Sequence, residues 1–87
     1  MHETSLMTDL MRKVDAILRE HQAKKVLKIK VRLGALSHFS PEHFREHFEI
    51  AARQTSAEHA SLEIELAGDV TDPHAQDVLL ENVELEE

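Results

Sequence analysis

The chain has 87 residues, enough for one small domain with a small core. Ten Lys and Arg against seventeen Asp and Glu give a formal charge of −7, and the 41% apolar, 31% charged balance is that of a globular protein. The deficit of basic residues argues against nucleic-acid binding, no apolar run approaches the roughly eighteen residues of a membrane span, and the absence of cysteine excludes disulfides, thiolate metal sites and thiol nucleophiles. The N-terminus lacks the basic and apolar regions of a signal peptide, so the expectation is a soluble, cytoplasmic domain spanning 1–87.

Leu6, Leu10, Val14 and Ile17, flanked by Met7, Met11 and Leu18, share one side of a helical wheel. Asp9, Arg12, Lys13, Asp15, Arg19 and Glu20 occupy the other. With Thr4 or Ser5 as a cap, the spacing predicts an amphipathic helix from about Thr4 to His21. The period then changes to two: Leu27, Ile29, Val31 and Leu33 alternate with Lys28, Lys30 and Arg32, which predicts a half-buried strand over Val26 to Leu33 ending at Gly34. After a loop, Ser40 is a good N-cap and Pro41 suits the first helical position, where its missing N–H would be unpaired anyway. Phe44, Phe48, Ala51 and Ala52 supply the apolar stripe of a second helix running to about Arg53. Ala60, Leu62, Ile64 and Leu66 alternate with Ser61, Glu63 and Glu65 as a second strand. Gly68-Asp69 and Asp72-Pro73 signal turns. Asp77 to Glu87 reads as a third strand, Val83 and Leu85 inward and Glu84 and Glu86 outward, with the alternation broken at Val78, Leu79 and Leu80.

Helix, strand, helix, strand, strand predicts an α/β (α+β, two-layer) fold: two helices on one face of a three-stranded mixed sheet. The first two strands should be parallel and the last two antiparallel. All ten basic residues precede Gln54, and the remainder holds ten acids and no Lys or Arg. Lys28, Lys30 and Arg32 beside Glu63 and Glu65 on the outer sheet face would make much of that asymmetry cross-strand pairing.

Seven histidines are the unusual feature of the composition. His43-Phe44-Arg45-Glu46-His47 fits the H-x-x-E-H zinc-peptidase string, in which histidines four apart share a helix face. A catalytic zinc also needs a third protein ligand and a walled cleft, so the pair reads as boundary histidines able at most to hold an adventitious metal. His21 should interact with the last carbonyls of the first helix, and His59 and His74 should be solvated in turns. No nucleophile triad or phosphate-binding glycine loop is present, so the chain is not read as an enzyme. The N-terminus offers different chemistry. The bulky His2 should keep Met1 in place. The Met1 amine, the His2 backbone nitrogen and the His2 imidazole can then bind one metal in fused chelate rings that suit planar Ni(II) or Cu(II), with Glu3 or His38 as fourth ligand. The His2 amide must ionise, so affinity should rise with pH.

Met1-His2-Glu3-Thr4-Ser5-Leu6 resembles the opening of the HypA/HybF-type nickel metallochaperones. The likeness continues through Leu33-Gly34-Ala35-Leu36-Ser37, Pro41-Glu42, Phe44 to Phe48-Glu49, Thr55, Ala60-Ser61-Leu62-Glu63-Ile64 and Val83-Glu84-Leu85-Glu86. The resemblance implies a single nickel-binding domain that delivers Ni(II) to a [NiFe]-hydrogenase, or to urease. It implies His2 as ligand with the Met1 nitrogen and Glu3 assisting. The implied partners are the pathway's GTPase and the hydrogenase large subunit or the urease apparatus, in the cytoplasm, with no nucleic acid or membrane involved and the chain a monomer or weak homodimer. The competing reading is an adaptor of the same fold that works by protein–protein contact without metal. Two departures stand out. Family members carry a zinc module with two Cys-x-x-Cys pairs between the last two strands, whereas Ala67 to about Gln76 has no cysteine, so no structural zinc is expected. Gln54 and His59 stand where the family has glycine, and each would cost about 1 kcal/mol if its φ is positive.

Overall fold

The computed structural model describes residues 3–86. Five elements follow one another: α1 (Glu3–Glu20), β1 (Lys25–Leu33), α2 (Pro41–Ala52), β2 (Ser61–Leu66) and β3 (Val78–Glu86). The sheet order is β2-β1-β3, with β1 parallel to β2 and antiparallel to β3. The last two strands thus run in opposite directions, as expected, but are not neighbours, because β1 lies between them. Helix α1 packs against α2 and β3, and α2 against β2. Among the described residues no helix is long and apolar enough to cross a membrane.

The core follows the two periodicities. Met7, Leu10, Val14 and Leu18 are the buried line of α1, with Leu6 and Met11 partly buried against the cluster, so the helix is turned slightly from the Leu6–Ile17 line its wheel suggests. They meet Ile29, Val31 and Leu33 from the sheet and Phe44 and Phe48 from α2. Phe44, Ile29, Val31 and Leu33 are fully buried, each such side chain contributing roughly 1.5–3 kcal/mol of transfer free energy. The α2 start forms as its residues dictate: the Ser40 side chain accepts from the His43 backbone N–H at 3.1 Å, with Pro41 entering the first turn.

One strand face differs from the simple alternation. The β1–β3 register shifts between Val26 and Lys28, which leaves Leu27 as the extra residue. Val26 therefore turns into the core and Leu27 is exposed, not inward as alternation predicts. A second shift between Lys30 and Val31 skips Glu81 on β3. That bulge is why Val78, Leu79 and Leu80 break the strand pattern: Leu80 pairs with Val31 and Val78 with Leu33 on the core side. The outer face carries the expected ladder, with Lys28–Glu63 at 3.7 Å, Lys30–Glu65 at 3.3 Å and Arg32–Glu65 at 3.8 Å.

Candidate metal centre

Of the N-terminal donors, Met1 and His2 lie outside the described residues, and Glu3 opens α1. The surroundings of that first turn are well defined. Leu6 and Leu10 of α1 line one side of a cleft of about 740 Å³, and Leu36 to Phe39 line another. His38, the expected fourth ligand, is exposed at this cleft with φ 65°, a left-handed backbone conformation that costs a non-glycine residue on the order of 1 kcal/mol. The loop holding it has fixed ends, because Gly34 leaves β1 and Ser40 caps α2. The sequence therefore brings His38 to the α1 side of the fold through a short, doubly anchored loop.

The third wall of the cleft comes from the connection between β2 and β3, which sequence reasoning treated as plain turns. Asp69 Oδ1 accepts from the Thr71 backbone N–H at 2.9 Å and from its hydroxyl at 2.6 Å. Those bonds, the hydroxyl first, hold the Asp69 carboxyl below its ordinary pKa. Asp72 Oδ1 accepts from the His74 N–H at 2.7 Å, and His74 Nδ1 lies 3.0 Å from Asp77 Oδ2. His74 is thus exposed, as expected, but paired. The connection is tied to the rest by Gly34 N–H donating to the Asp77 carbonyl at 2.9 Å and Leu36 N–H to that of Ala75. His74 and Asp77 consequently line the same cleft as His38. The Asp72-Pro73-His74 string, with Asp77 three residues after the histidine, was the available signal for this turn.

The remaining histidines are placed separately. His43 and His47 sit on one side of α2 with ring centroids 4.5 Å apart, and Phe39 lies 6.1 Å from His43. His21 and His59 are exposed. At the end of α1 His21 donates its backbone N–H to the Ile17 carbonyl at 3.1 Å. Among the described residues no three or more His, Asp or Glu side chains converge on a point where a metal could sit. His38, His74 and Asp77 share a cleft without forming a coordination sphere.

With this geometry in hand, comparison with known proteins gives a consistent result. Residues 1–71 match the family model described as "Hydrogenase/urease nickel incorporation, metallochaperone, hypA". The hydrogenase maturation factor HypA of Desulfitobacterium hafniense is 38% identical over 66 residues, covering 76% of this chain and 58% of that protein. HypA of Archaeoglobus fulgidus is 41% identical over 64 residues, covering 74% of this chain and again 58% of its own length. The chain therefore spans under two thirds of the length of these curated relatives. The solution structure of the Ni metallochaperone HypA from Helicobacter pylori superposes with a TM-score of 0.83 over 99% of this chain and 98% of that one, at 16% identity, a likeness of fold.

Proposed function

Because this chain belongs to the HypA family, we propose that it is a nickel metallochaperone, binding one Ni(II) through Met1, His2 and Glu3 for insertion into a [NiFe]-hydrogenase or urease active site. The observation that carries this reading is that the family match begins at residue 1 and so includes the Met1-His2-Glu3 donor string. The chemistry supports it. An N-terminal amine, an ionised amide and an imidazole present three nitrogens in one plane, the arrangement Ni(II) favours. Glu3 or His38 supplies the fourth donor in this reading, and the cleft that His38 lines is shared with Leu6, one turn into α1. The role is delivery, not catalysis, and it takes place in the cytoplasm. Its partners are the pathway GTPase and the apo target subunit.

The domain works in this reading as a single unit without structural zinc. No cysteine is present, and the connection from 67 to 77 closes on its own Asx turns and on β1. A delivery protein must also release its ion, so binding should be reversible at neutral pH.

Calorimetric titration of Ni(II) into protein with its native N-terminus, beside His2→Ala, tests the proposal. The expected result is a one-to-one event of moderate affinity in the first and its loss in the second, with affinity rising with pH because the His2 amide must ionise. Identical isotherms would overturn the N-terminal assignment. Absence of nickel binding in both would favour an adaptor acting through protein contacts alone.

A further inference from the structure

We propose that His43 and His47 form a second site for a borderline divalent cation, Ni(II), Zn(II) or Co(II), on α2. This goes beyond the N-terminal reading and does not rest on it. Residues four apart on a helix lie one above the other, and here the two rings have closed to a centroid distance of 4.5 Å with a 45° tilt. Two imidazole nitrogens each about 2 Å from one ion are about 3 Å apart when adjacent in its coordination sphere. Rings this close on one helix face bring both imidazoles within reach of one ion.

The pair is held in place by its neighbours. Phe44 and Phe48, the residues next after each histidine's position on the helix, are 0% and 3% exposed, which locks the rotation of α2 about its axis. Ser40 fixes the first turn through the His43 N–H. The one basic side chain of α2, Arg45, is directed elsewhere, its guanidinium donating to the Leu62 carbonyl at 3.1 Å. Glu42 in the first turn offsets the positive end of the helix dipole, and Glu46 and Glu49 add to the acidic character of the helix. No third carboxylate or imidazole joins the pair among the described residues. Such a two-imidazole site binds more weakly than a planar chelate and exchanges its ion readily, which suits a holding position for cargo.

The test uses the full-length chain carrying His2→Ala, and Ni(II) as the probe. Nickel bound by two imidazoles and waters is six-coordinate and paramagnetic, whereas nickel in a planar nitrogen chelate is diamagnetic. Adding Ni(II) should therefore broaden the ring resonances of His43 and His47 ahead of those of His21, His59 and His74. Adding His43→Gln or His47→Gln should weaken the remaining binding by at least the roughly tenfold that losing even a supporting partner of a metal ligand costs. Both positions lie outside the buried core, and far-UV circular dichroism checks that α2 is retained. Uniform broadening of all histidines, or unchanged binding in the glutamine variants, would overturn the site. So would complete loss of binding with His2→Ala alone. If unmutated protein binds nickel only at this pair, the N-terminal reading fails and this one stands.

Discussion

The backbone of Gly34 lies against the carbonyl of Ala75 so closely that a Cβ at Gly34 would overlap it. Gly34 has no positive φ, so it is required here for approach, not for conformation. The contact docks the 67–77 connection onto the loop that carries His38, and Leu36 N–H seals it by donating to the same carbonyl. Gly34→Ala should therefore cost about 1–3 kcal/mol, the usual range for forcing a methyl into filled space. Amide exchange should accelerate first at Gly34, Leu36 and Asp77. A destabilisation without that local signature would mean that the connection is not held by this contact.

Gln54 and His59 both stand at positions where the family resemblance implies glycine, and the backbone separates them. Gln54 has φ 63°, just beyond the Arg53 cap of α2, where a left-handed residue ordinarily ends the helix. His59 is not among the residues with positive φ. Gln54→Gly should therefore raise stability by up to about 1 kcal/mol, while His59→Gly should lower it by about 0.5–1 kcal/mol through the extra freedom of the unfolded chain. Thermal unfolding of the two variants side by side checks the opposite signs.

Glu65 forms ion pairs with both Lys30 and Arg32 across β1 and β2, but all three side chains are more than a third exposed. Solvent screening limits what such a ladder contributes. Glu65→Gln should cost less than about 1 kcal/mol, and 0.5 M salt should remove most of the difference. Denaturant unfolding at low and high salt measures it. A larger, salt-insensitive loss would assign Glu65 a packing role.

The Ser37 Oγ is buried at the cleft with no hydrogen-bond partner among the described residues. An unpaired buried hydroxyl carries a desolvation cost of about 1–3 kcal/mol. Ser37→Ala should accordingly be neutral or stabilising in the metal-free protein. Chemical denaturation decides: a loss above about 1 kcal/mol would show that the hydroxyl is in use.

How much of this was legible follows from which interactions are local. The 3.6 and 2 periodicities and the Ser40-Pro41 signal located α1, β1, α2, β2 and β3 to within about a residue, because each depends on nearby residues alone. The Lys28, Lys30, Arg32 and Glu63, Glu65 ladder was readable because parallel pairing follows from the strand–helix–strand order. The bulges at Leu27 and Glu81 were not, since they arise from fitting β3 to β1 and no local residue requires them. Nor was the cleft: His38 and His74 are 36 residues apart and come to line it together where Gly34 admits Ala75. Whether the two positions of family glycine need a positive φ was not legible either: Gln54 has one and His59 does not, since a glycine preference in a family does not by itself reveal a φ.

The pKa of the Asp69 carboxyl lies below its ordinary value. Its carboxylate accepts from the hydroxyl and then the backbone N–H of Thr71, and both favour the ionised form. A depressed native pKa means that the unfolded chain binds the proton more readily, so this stabilisation is present above the ordinary value of 3.8 and is lost as pH falls through the lower native one. Asp69 is fully exposed, so the effect on the whole fold is small, and the sensitive readout is local. Carboxyl NMR titration should place the Asp69 inflection below 3.8, and Thr71→Val, which removes the hydroxyl but keeps the N–H, should move it part of the way back. An unchanged inflection in Thr71→Val would leave the backbone N–H as the whole cause.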